Sequence, residues 1–289
     1  MRDTKIDNMK YLRRKIIIPI VLIITFTYLL ISYNYLSIKI YKIETPLLKE
    51  HSKINIVLIS DLHSTLYGKD QSKLVEKIKN IRPDLIILSG DIFDDVVPMN
   101  GSKLLLSAIS TIAPVYYVTG NHEYWSRNVL EIKEILMGFG VEILSDKYMK
   151  IEVNGNEIIL AGIEDPDKSI YENPYYNQDD NMEKAFRELD AMSLYKILIA
   201  HRPERIEIYK KYSFDLVLSG HTHGGQIRVP FIGNGLYAPD QGFFPKYSGG
   251  IYHHEYLTHI ISRGLSKKYL IPRIFNPLEI VNVIIESEK

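Results

Sequence analysis

Along most of this chain, short uninterrupted apolar runs end in a turn and then in Asp, Asn or His. Residues 54–60 (INIVLIS) lead into Asp61-Leu62-His63, 85–88 (LIIL) into Ser89-Gly90-Asp91, and 115–118 (VYYV) into Thr119-Gly120-Asn121-His122-Glu123. Residues 197–200 (ILIA) lead into His201, and 216–218 (LVL) into Ser219-Gly220-His221-Thr222-His223-Gly224-Gly225-Gln226. Apolar runs without alternation predict strands covered on both faces. Between them, Leu74, Val75, Ile78 and Ile81 fall on one face of a helix that stops before Pro83. Further helices are predicted over 103–112, 129–137 and 182–192. Residues 141–144, 148–153 and 157–162 read instead as successive strands, the last two joined by an Asn154-Gly155 hairpin. With strands near 258–261 and 279–285, they predict a mixed sheet or a second sheet packed on the first. Residues 164–180 read as a long polar surface loop, a candidate for substrate contact.

The apolar pattern changes character near the N-terminus. Residues 16–36 (IIIPIVLIITFTYLLISYNYL) run without a charge, and as a helix they would extend about 31 Å, close to the ~30 Å hydrocarbon core of a bilayer. The run is long for a cleaved signal peptide and lacks a small-residue cleavage site, so a single transmembrane anchor is predicted. Residues 1–15 carry Arg2, Lys5, Lys10, Arg13, Arg14 and Lys15, against Lys39, Lys42 and Lys49 in 37–51. The positive-inside rule then gives a cytoplasmic basic N-terminus (1–15) and a single-pass plasma-membrane protein with the remainder of the chain outside. Arg13-Arg14 also matches a twin-arginine export signal. Tyr33, Tyr35 and Tyr41 suit the far interface, 37–53 reads as a juxtamembrane connector broken at Pro46, and 54–289 as the globular domain.

Composition narrows the chemistry. The chain has 289 residues, 46% of them hydrophobic, enough for one sizeable core. Lys+Arg and Asp+Glu are equal at 35 each, so no global field would draw nucleic acid and no such partner is expected. With no Cys, any metal must be held by nitrogen and oxygen. Asp61 and His63, two apart, share a face of an extended backbone and can converge on one ion. Gly90 permits a close backbone approach that turns Asp91 into a crevice. Asn121 offers a hard oxygen, and the adjacent His122 is left for proton transfer. Taken singly these signals are weak: an Asp can cap a helix, and Asn-His can be a turn. Together they are not, because five of the nine histidines follow apolar strands, where unpaired polar groups are costly to bury. A dinuclear metal centre supplies the missing partner. His51, His253, His254 and His259 have no such context and are assigned to surface or packing, and Asp94 and Asp95 to a solvated loop or cap.

The ordered set Asp61/His63, Gly90-Asp91, Gly120-Asn121-His122-Glu123, His201 and Gly220-His221-Thr222-His223 resembles the signature of the calcineurin-like metallophosphoesterases across 54–226. His201-Arg202-Pro203-Glu204, Gly224-Gly225-Gln226, Ser262-Arg263-Gly264-Leu265 and Asn276-Pro277-Leu278-Glu279 are similar to its membrane-anchored YkuE/YaeI-like phosphodiesterase subgroup. The resemblance implies an α/β fold, a four-layer α-β-β-α sandwich of two mixed sheets, preceded here by the transmembrane helix. It implies two divalent ions (Mn, Fe or Zn), one on Asp61, His63 and His223, the other on Asn121, His201 and His221, with Asp91 bridging and catalytic and His122 as general acid. Such a pair would activate a hydroxide for attack on phosphorus. The anchor, with Tyr171, Tyr175, Tyr176, Phe243 and Phe244 in loops, points to a lipid- or envelope-linked phosphodiester or pyrophosphate. The alternatives are soluble nucleotides or phosphoproteins as substrates, or a non-catalytic anchored binding protein.

Overall fold

The computed structural model describes residues 13–23, 27, 35–228, 234–267 and 272–288. In chain order the strands are Leu36–Thr45 (β1), Lys53–Ile59 (β2), Leu85–Ser89 (β3), Val115–Val118 (β4), Glu142–Ile143 (β5), Lys147–Val153 (β6), Asn156–Gly162 (β7), Tyr195–Ile199 (β8), Leu216–Ser219 (β9), Tyr237–Ala238 (β10), Gly242–Phe243 (β11), Gly250–His254 (β12), Leu257–Ile261 (β13) and Leu278–Ser287 (β14). They build two six-stranded mixed sheets, ordered β1-β14-β2-β3-β4-β5 and β12-β13-β9-β8-β7-β6. A two-stranded ribbon, β10-β11, lies apart from both.

Alternation along the central strands decides the layering. From β2, Ile54, Ile56 and Leu58 point between the sheets and meet Ile158, Leu160, Ile197, Ile199, Leu216 and Leu218 of the other sheet. Val57 and Ile59 face outward, with Ile86 and Leu88, onto Leu74, Ile78, Leu105, Leu106, Ile132 and Leu136 of the helices Ser72–Ile81, Asn100–Ile109 and Val129–Gly138. On the far side, Ile159, Leu198 and Val217 pack on Met182 and Phe186 of helix Gln178–Phe186 and on Ile206 and Tyr209. The result is helix, sheet, sheet, helix. Both faces of the central strands are buried, which is why their sequences do not alternate. Each such aliphatic side chain contributes about 1.5–3 kcal/mol by leaving water.

Three expectations need correction. Residues 37–53 are not a connector throughout: β1 pairs in parallel with β14 from Leu36↔Leu278 to Thr45↔Ser287, so the sheet begins at residue 36 and not at 54. Tyr41, expected at a membrane interface, is buried in the layer between the sheets. The region 164–180 is not all surface loop, since Glu164 is buried and accepts hydrogen bonds from Thr119 Oγ1 (2.6 Å), Lys133 Nζ (2.6 Å), Tyr124 Oη and Ser145 Oγ. Burial would raise its pKa, but Lys133 and Lys168 outweigh that and bring it down to about 2.

The predicted transmembrane segment 16–36 lies partly outside the described residues, as does most of the predicted cytoplasmic stretch 1–15 and Tyr33. Residues 13–23 are helical, and among the described residues no helix is long and apolar enough to cross a membrane. In that helix Ile16, Ile17, Ile18, Ile20, Val21, Leu22 and Ile23 are 50–64% exposed.

Candidate metal centre

The loops that follow β2, β3, β4, β8 and β9 meet at one end of the sandwich, and backbone hydrogen bonds tie them together. Asp61 and His63 donate their N–H groups to the carbonyls of Gly90 (3.1 Å) and Asp91 (3.0 Å), and Gly220 donates to His201 O (3.1 Å). Asp61, His63, Asp91, His221 and His223 all have positive φ, between 46° and 70°. L-residues adopt that conformation at a cost, and its concentration here is the strain expected where side chains are aimed for a purpose.

The side chains gather into two buried groups of potential ligands, Asp61/His63/His223 and Asp91/His201/His221, each with its ligand atoms within 4.8 Å of one another. Asn121 joins the second group, its Oδ1 lying 3.2 Å from His201 Nε2. Asp91 Oδ2 sits between the groups, 3.7 Å from His63 Nε2 and 3.2 Å from His201 Nε2. All seven residues singled out as ligands are thus brought to one place. His63 Nε2 is buried without a hydrogen-bond partner, as a nitrogen awaiting an ion would be.

The electrostatics fit a cation pair. Burial would lower the pKa of His201, but Asp91 and then Asp61 drive it up to about 10, so the site's negative charge is attracting a proton where a cation could stand. Burial and Arg202 push His221 down to about 4, while burial and His63 lower His223. Those two imidazoles are neutral at pH 7, the form that ligates. The donors are imidazole, carboxylate and amide, which suit Mn, Fe or Zn.

Several carboxylates that the sequence reading left aside hold these groups in place. Asp94 Oδ2 is 3.0 Å from His63 Nδ1 and its Oδ1 accepts the N–H groups of Val96 and Val97; Asp95 Oδ1 is 2.7 Å from His122 Nδ1. They are orienting partners for imidazoles and not merely loop or cap residues. Their nearness to Asp91 in the chain was the available signal. Glu123 accepts from the N–H groups of Asp91 (2.9 Å), Phe93 (3.0 Å) and Gly120 (2.7 Å), fixing the turn that carries Asp91. Arg202 is buried, with Nε 2.7 Å from Asp165 Oδ2, Nη2 3.1 Å from Asp167 Oδ1, and Nη1 on Asp240. Asp240 Oδ2 also lies 2.7 Å from His221 Nε2. Nothing local in the sequence pointed to Asp240, which stands 19 residues beyond His221 in irregular chain.

Of the loop aromatics expected near substrate, Tyr175, Phe243 and Phe244 are largely exposed and Tyr171 partly so. Tyr176 is buried and structural, its hydroxyl donating to Asp146 Oδ1 (3.0 Å). His259 is buried against Ser219 Oγ (3.0 Å).

Gly120 marks how tightly the centre is built. A Cβ there would lie 2.2 Å from Asp91 Oδ1 and 2.6 Å from Asp91 N. Gly120→Ala is therefore expected to displace Asp91, lowering metal content and costing about 1–3 kcal/mol of stability through overpacking. Metal analysis and denaturant unfolding of the purified variant check this, and wild-type values for both would show that the loop can yield.

Residues 54–225 match the calcineurin-like phosphoesterase family. Among curated relatives, the uncharacterized protein YpbG of Bacillus subtilis (strain 168) is 34% identical over 191 residues, 63% of this chain and 67% of YpbG. A transmembrane protein with metallophosphoesterase domain from Danio rerio is 30% identical over 65% of this chain, which spans 45% of that protein. The metallophosphoesterase YkuE of Bacillus subtilis (strain 168) is 28% identical over 80% of this chain and 79% of YkuE. The matched stretch begins with β2 and ends just beyond His223, so it encloses all the candidate ligands. The chain therefore belongs to the calcineurin-like phosphoesterase family.

Proposed function

We propose that this protein is a membrane-anchored phosphodiesterase in which Asp61, His63 and His223 hold one divalent ion, Asn121, His201 and His221 hold a second, and Asp91 serves both. The observation that carries this reading is the position of Asp91 Oδ2 between His63 Nε2 (3.7 Å) and His201 Nε2 (3.2 Å), one nitrogen from each group. Two such ions, when bound, supply Lewis acidity toward phosphate oxygens and a nucleophile at neutral pH. The chain's own residues do the rest. Asp91 Oδ1 accepts the backbone N–H of His122 (2.9 Å), which couples the bridging carboxylate to the residue beside the ligand Asn121. His122 stands at the edge of the centre, its ring 4.3 Å from that of His63 and 4.5 Å from that of Trp125. With Nδ1 held by Asp95 at 2.7 Å, Nε2 is the nitrogen that gives a proton to the departing alkoxide.

The substrate reading rests on two features. The exposed apolar side chains of 16–23 support the uncharged run that precedes β1 as an anchor, with 1–15 inside and the catalytic unit from β1 onward outside. A cavity of about 370 Å³ beside His63, walled by Leu66, Val96, Val97 and Pro98 together with Ser64, Thr65 and Lys267, offers a largely apolar surface next to the candidate metal centre. Both favour a lipid- or envelope-linked phosphodiester or pyrophosphate over a soluble nucleotide.

His122→Ala tests the reading. It is expected to keep both ions while kcat falls roughly 10²–10⁴-fold on a diester with a poor leaving group, and far less on bis-p-nitrophenyl phosphate, whose leaving group needs little protonation. Equal losses on the two substrates would remove His122 from the acid role.

A further inference from the structure

Helix Ser72–Ile81, on the outer face of the first sheet, carries Lys73 and Lys77 one turn apart, so both side chains leave it on the same side. They line a cavity of about 440 Å³ whose other walls include Tyr67, Lys267, Tyr35 and Leu36. None of its walls is a candidate metal ligand. Lys267 Nζ lies over the Tyr67 ring, 4.8 Å from its centroid. Burial first, and then the charge of Lys73, lowers the pKa of Lys267, as expected of two ammonium groups on one concavity. Glu76 is the carboxylate on the wall, and among the described residues no carboxylate comes within 4.0 Å of the ammonium of Lys73 or Lys77. Lys73 and Lys77 beside one wall carboxylate, among the described residues, leave an excess of positive charge, which favours an anion there.

The position of the cavity says which anion. Tyr35 and Leu36, on its wall, close the uncharged run 16–36 and open β1, so the cavity lies where the chain passes from its apolar segment into the sheet. At a bilayer surface the anion present at high local concentration is the phosphate of a lipid headgroup, and lysines near that surface bind it. We propose that Lys73, Lys77 and Lys267 form a site for the phosphate of an anionic lipid headgroup, which fixes the face the domain turns to the bilayer. No wall of the site is a candidate metal ligand, although Lys267 also lines the cavity beside His63 and the site's location rests on the anchored reading.

The test uses the full chain in a non-ionic detergent, with melting temperature as the readout of binding. It is titrated separately with short-chain phosphatidic acid, the matching phosphatidylcholine, and inorganic phosphate. Phosphatidic acid is expected to raise the melting temperature and phosphatidylcholine to leave it unmoved. In the double variant Lys73→Gln/Lys77→Gln the half-saturating phosphatidic acid concentration should rise roughly tenfold or more. Metal content and turnover of bis-p-nitrophenyl phosphate should stay at wild-type levels in that variant, which separates failure of this site from failure of the catalytic reading. An unchanged phosphatidic acid response in the double variant would overturn the site. Saturation by inorganic phosphate at the same concentration as by phosphatidic acid would overturn the lipid as its occupant.

Discussion

Asp91→Ala is expected to lose both metal ions and at least about 10³-fold in phosphodiester turnover, the largest effect of any single substitution in this protein. Asp91 is buried, its Oδ2 faces a nitrogen of each ligand group, and its Oδ1 holds the N–H of His122. On the proposed assignment, removing it would take one donor from each ion and leave four buried imidazoles with less negative charge to gather around. Although burial works against it, His201 and His122 hold the Asp91 carboxyl well below the usual carboxylate range, which favours the ionised, ligating form. Asp91→Asn is the sharper companion variant, since it keeps the shape and removes the charge. Elemental analysis and turnover should fall together in both. A variant that keeps two ions and wild-type turnover would refute the bridging role.

The second large effect concerns stability. Arg202→Ala is expected to destabilise the fold by about 3–5 kcal/mol, the range found when one partner of a buried ionic cluster is removed. Its guanidinium faces Asp165, Asp167 and Asp240, so truncation leaves three carboxylates crowded together, two of them at buried or nearly buried positions. Arg202→Lys should recover only part of the loss, because an ammonium cannot make the bidentate contact that Nε and Nη2 make with Asp165. Denaturant unfolding measures the effect. Metal content reads a second consequence, since Asp240 orients both Arg202 and His221. A stability change below about 1 kcal/mol with metal content intact would mean that the cluster is dispensable.

The candidate ligands were legible because each sits just after an apolar strand, and the end of a buried strand is the point in a chain whose position in space is best constrained by pattern alone. The same logic located β2, β3, β4, β8 and β9 and the hairpin of β6 and β7. It missed β1, an edge strand whose Ile38 and Ile40 are substantially exposed and whose Lys39 and Lys42 interrupt the apolar pattern. Edge strands carry charge to discourage further pairing, which is what made this one read as a connector. The supporting carboxylates were harder. Asp94 and Asp95 look like ordinary loop acids until the loop folds back over His63 and His122. Glu164 and Asp240 matter only through residues far away in sequence, and no local periodicity reports a contact of that kind.

Each ligand group draws on both sheets: Asp61 and His63 follow β2 of one while His223 follows β9 of the other, and Asp91 follows β3 while His201 and His221 follow β8 and β9. An ion held in either position would therefore act as a fastener across the seam of the sandwich. Sliding one layer against the other would separate the donors of both groups at once, so the alignment of the candidate ligands depends on the two sheets keeping their register.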